Sequence, residues 1–84
     1  MTREPLQPIA AAIFYEIARF EATYGLQLRV TVTIDEEAGT VTARGEGLRM
    51  WGPQQSLSAA LDRAGLRHDI YTQSATITVY PSTT

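Results

Sequence analysis

Two kinds of hydrophobic spacing alternate along the chain, one helical and one extended. From Leu6 to Tyr24 apolar residues recur at intervals of three and four, at Leu6, Ile9, Ile13, Ile17, Phe20 and Tyr24. At about 100° per residue these fall on one stripe of a helix. The spacing therefore predicts a helix over residues 8–24 with that stripe facing the core. Pro8 suits the first turn, where a missing N–H costs nothing, and Gly25 suits the left-handed stop. The opposite side carries Ala11, Tyr15, Ala18 and Ala22, with Phe14 at the border and no charge between them. Glu16, Arg19 and Glu21 are pushed to the flanks. Alanine is a strong helix former and one surface tyrosine is ordinary, yet a helix that is apolar on both sides is usually covered on both. This face is read as a solvated surface, as a contact surface for a second copy or another protein, or as a surface covered by the chain's own C-terminal segment.

After Gly25 the period changes to two. Leu28, Val30, Val32 and Ile34 alternate with Gln27, Arg29, Thr31, Thr33 and Asp35, which predicts a half-buried strand over residues 26–35. Residues 36–39 read as a hairpin loop, and residues 40–46 as the return strand with Val41 and Ala43 inward. Gly45 and Gly47 would continue the inward row without side chains, so a bulge or a close backbone approach is expected there. Periodicity then lapses over residues 48–53. A second helix is predicted from Pro53 to Ala64, with Leu57, Ala60, Leu61 and Ala64 inward, Gln55, Ser58, Ala59, Asp62 and Arg63 outward, and Gly65 as its stop. Leu66 should pack back against that cap. Residues 75–80 form a strand with Ala75, Ile77 and Val79 inward, and Pro81 ends it. Residues 67–72 fit either a loop or an added edge strand turning at Gln73 and Ser74.

The element order is α-β-β-α-β. It predicts one two-layer α+β domain over residues 1–84, with two helices on one face of a three- or four-stranded, mainly antiparallel sheet. Residues 1–7 are a lead-in segment and residues 81–84 a frayed tail. With the last strand placed beside the first, the pattern is that of a ferredoxin-like fold without its first strand; the comparison is one of patterns, carried by no motif.

Composition narrows the chemistry. The 84 residues contain no cysteine and one histidine, which removes disulfides, thiolate nucleophiles and multi-histidine or cysteine metal sites. A net charge of -2 argues against a general polyanion binder. All 7 basic residues are arginine, and neither lysine nor asparagine occurs; both absent residues have A-rich codons, which points to a GC-rich genome of bacterial or phage type. No targeting segment or apolar run of membrane-spanning length is present, so a cytoplasmic protein is expected.

Few residues offer chemistry. Arg44, Glu46, Arg49, Met50 and Trp51 cluster between a strand and a helix, and tryptophan, arginine and methionine favour interfaces. The same tryptophan could instead plug the end of a small core. The glycine-rich turn at residues 45–52 fits neither phosphate-binding fingerprint and lacks lysine. His68 beside Asp69, and Ser56, Ser58 and Ser74, form no oriented pair on an extended segment. Asp35, Glu36 and Glu37 sit on a hairpin tip. The outer sheet face, with Arg29, Thr31, Thr33, Thr42, Arg44, Thr76, Thr78 and Tyr80, offers one aromatic where RNA-reading sheets use several.

The expectation is a small non-enzymatic protein-binding module, with Ala11, Phe14, Tyr15, Ala18, Ala22, Arg44, Glu46, Arg49, Met50 and Trp51 as the partner-binding set. Its partner is a protein, or a second copy bound through helix 1, and no cofactor, metal or membrane is implied. An inhibitor that occludes a host or defence complex, as anti-CRISPR proteins do, is the expectation by base rate alone. A nucleic-acid-binding or regulatory module using Arg29, Arg44 and Arg49 is the alternative. A small enzyme or enzyme subunit using Glu46 or His68 for proton transfer is the second alternative.

Overall fold

A computed structural model describes residues 6–81; the rest of the lead-in and the tail at residues 82–84 lie outside the described residues. The elements are α1 (Gln7–Tyr24), β1 (Thr31–Asp35), β2 (Thr40–Arg44), α2 (Trp51–Arg63), β3 (Arg67–Tyr71) and β4 (Thr76–Tyr80). Turns of 3₁₀ helix at Glu46–Arg49 and Thr72–Ser74 precede α2 and β4. The two helices pack on each other and on the same sheet, α1 mainly over β1 and α2 over β3. This is the two-layer α+β arrangement that the hydrophobic spacing predicts.

Ile9, Ile13 and Ile17 of α1, with Leu6 before it, are buried against Val41, Ala43, Ile77 and Val79 of the two central strands. Tyr24 departs from its predicted place in this stripe. It is exposed, with its ring centroid 4.5 Å from that of Phe20. The stripe ends there because Gly25 turns left-handed (φ 65°) and the N–H groups of Gly25 and Leu26 both return to the Glu21 carbonyl, a glycine-capped stop that leaves the last turn beyond the sheet.

The first strand is shorter than its alternation predicts. Arg29 adopts a left-handed backbone (φ 55°), which breaks the pleat and delays β1 to Thr31. Leu28 is nevertheless fully buried. Its N–H donates to Glu21 Oε2 (2.8 Å), and its carbonyl accepts from the Gly47 N–H (3.0 Å). The expected close approach lies here. A Cβ on Gly45 would overlap the Arg29 carbonyl, and one on Gly47 would come within 2.6 Å of Leu28 Cβ. The segment 45–47 needs glycine because another backbone lies against it.

The strand order is β1-β2-β4-β3, antiparallel at each pairing. The last strand therefore does not lie beside the first. It sits between β2 and β3, which run parallel, and fills the place that the first strand of a ferredoxin-like sheet would hold. Burial explains the position: Ile77 and Val79 are completely covered, as only central strands are, whereas Val32 and Ile34 of β1 are half-buried. Residues 67–71 form the fourth strand, joined to β4 by the short turn Thr72–Ser74.

The second helix begins two residues before Pro53, at Trp51. Proline is tolerated at this third helical position because its N–H would have no partner within the helix. The inward stripe contains Leu57 and Leu61, but Ala64 is exposed and Gln54 takes a buried place instead. At its other end the Leu66 N–H reaches the Leu61 carbonyl (2.9 Å) and Leu66 packs against the core, as a glycine stop at residue 65 requires.

Candidate protein-binding surface

Helical geometry divides the outer side of α1 into two parts. Arg19 lies one turn after Tyr15 and Thr23 one turn after Arg19, so these three form a ridge on the side of α1 nearer α2. Phe14, about 100° from Tyr15 on the wheel, faces the opposite flank. Ala11, Ala18 and Ala22 lie between, all exposed. Tyr15 is 67% and Phe14 62% exposed, and neither makes a side-chain hydrogen bond among the described residues. The ridge charge is locally balanced: Arg19 holds Glu16 through both carboxylate oxygens at 3.0–3.1 Å, and this hydrogen bond and charge raise the guanidinium pKa further.

Between α1 and α2 runs an open groove of about 510 Å³ lined by Arg19, Phe20, Thr23 and Tyr24 on one wall and Gly52, Gln55 and Ser56 on the other. The walls are close here: a Cβ on Gly52 would be in ordinary contact with the Phe20 ring, at 3.7 Å. Trp51 stands one turn before Gln55 on α2. It is 75% exposed, so it is not a plug for the core; Leu48, almost fully buried, fills that end instead. Tyr24 (63% exposed) lines the groove, whereas Tyr15 and Trp51, 36 residues apart in sequence, do not line it and each lies one helical turn from a lining residue, Arg19 and Gln55 respectively. Met50 lies beside Trp51 and is also exposed.

The other members of the predicted set are dispersed. Glu46 and Arg49 pair with each other at 2.9 Å within a 3₁₀ turn, which positions their charges but leaves both largely in water, where such a pair stabilises little. Arg44 ends β2 on the outer sheet face, the side away from the helices. The irregular loop expected at residues 48–53 is a 3₁₀ turn and the opening of α2.

Gln54 anchors the first turn of α2, which carries Trp51, and belongs to no motif. Its Nε2 donates to the Leu48 carbonyl (3.1 Å) and to Thr72 Oγ1 (3.1 Å), tying both 3₁₀ turns beneath the first turn of α2. The signal available in the sequence was its place three residues before Leu57, on the inward side of the helix.

Formation of β3 brings Arg67, Asp69 and Tyr71 onto the outer sheet face. The Arg67 guanidinium lies 5.3 Å over the Tyr80 ring, and Tyr71 Oη is 3.4 Å from Asp69 Oδ2. Hydrogen bonding to Tyr71, burial and the nearby Asp69 push the Tyr80 hydroxyl up to about 12. Arg44 and Arg67 share this face with Asp35 and Asp69, but Asp35 pairs with Thr40 at the far end of the β1–β2 ladder from Arg44.

His68 and Ser58 meet across α2 and β3. His68 Nδ1 lies 3.0 Å from the Leu66 carbonyl, which can only accept, so Nδ1 carries the proton and Nε2 accepts from Ser58 Oγ at 2.8 Å. Asp62 Oδ1 is 4.0 Å from Nδ1. The serine lies in mid-helix, where neighbouring N–H groups are used by the helix, so an oxyanion forming there would meet no pair of backbone donors. The contact ties α2 to β3. Asp35 closes the hairpin through Oδ1 and the Ala38 N–H (3.1 Å). Among the described residues no three histidine or carboxylate side chains converge as a metal site would require, and no helix is long and apolar enough to cross a membrane.

Comparison with protein-family models, curated proteins and solved structures finds no match.

Proposed function

We propose that the protein is a binding module that docks a protein partner on the outer ridge of α1 and the adjoining groove, with Tyr15, Tyr24 and Trp51 as anchors and Ala11, Ala18 and Ala22 as the close-packing surface. The observation that supports this reading is the exposure of Tyr15 and Trp51, each one helical turn from a residue that lines the groove and both without hydrogen-bond partners among the described residues. Exposed aromatic anchors around a small-residue surface suit a partner's apolar side chains. Such a module acts by covering what it binds, as an occluding inhibitor of a larger complex does. The sheet face supports the nucleic-acid reading less well, because its tyrosines are engaged by neighbours and it carries carboxylates as well as arginines.

The test uses wild type, Tyr15→Arg, Trp51→Ala and the control Thr33→Arg, exposed on the sheet away from the helices, as matched baits in lysate from a GC-rich bacterial host. A partner retained by wild type and Thr33→Arg but lost by the first two variants supports the docking surface. The reading fails if Tyr15→Arg and Trp51→Ala fold normally and leave every association unchanged.

A further inference from the structure

We draw no further inference here: the strongest candidate, the unpaired outer edge of β1 with its uncharged residues 31–34, carries none because nothing in the structure shows what covers it.

Discussion

The two solvent-facing surfaces of the molecule treat their aromatic residues differently. On the sheet, Tyr80 lies under Arg67 and beside Tyr71, and Tyr71 reaches toward Asp69. These side chains are held by neighbours and need no partner to account for them. On the helices, Tyr15 and Trp51 are more exposed than any sheet aromatic and make no hydrogen bond among the described residues. Exposure alone does not separate the two surfaces, since Tyr71 is itself 47% exposed. What separates them is whether the polar end of each ring is already engaged. Residues engaged within the fold are explained by the fold, whereas unengaged aromatics beside a groove are the better place to look for function.

The first way to break this contrast is within α1 itself. Ile13→Ala removes a side chain with 1% exposure and should cost about 2–5 kcal/mol, read as a large fall in the urea midpoint. Two positions away, Tyr15→Arg should leave stability within about 0.5 kcal/mol of wild type; a comparable loss there would show that the outer face is structural. Gln54→Ala comes next. It removes the donor shared by the Leu48 carbonyl and Thr72 and should cost about 1–3 kcal/mol. It should also weaken any association that Trp51→Ala abolishes, although Gln54 itself is buried. Unchanged binding would mean that the Trp51 turn is held by other contacts.

The smallest effect lies on the sheet. Because the Tyr80 hydroxyl is raised to about 12 in the folded protein against about 10 in an unfolded chain, the folded state keeps a proton that the unfolded state loses. The contribution is fully present below pH 10 and is lost as pH rises towards 12. Phenolate absorbance should therefore show a step near pH 12 that Tyr80→Phe removes, and the variant's stability should fall less between pH 10 and 12. An unchanged titration would remove the claim that the sheet tyrosines are engaged.

Local spacing carried much of the fold. The period of α1, the alternation of Thr40–Arg44 and Thr76–Tyr80, and the paired glycines at residues 45 and 47 are all readable because each records a constraint within a few residues: which side is covered, or where another backbone passes. Tyr24, the start of β1 and the start of α2 depart from the local pattern for a common reason. The end of a periodic pattern depends on what the chain meets next. Tyr24 falls past the sheet, Arg29 takes a left-handed turn against Gly45, and the helix extends back through Gly52 because Gln54 and Leu48 fill the space beneath it.

The residues of the candidate surface were visible in the sequence as an uncharged helix face and an isolated tryptophan, but their grouping was not. Tyr15 and Trp51 each come within a helical turn of the residues lining one groove only when the helices pack. By itself the sequence determined the layers, the inward stripes and the absence of thiol chemistry, because these follow from local period and composition. Tertiary structure alone decided that β4 lies between β2 and β3, that β1 is an edge, and that Trp51 points outward. Strand order and side-chain exposure depend on which distant segments compete for the same space, and no short-range pattern encodes that competition.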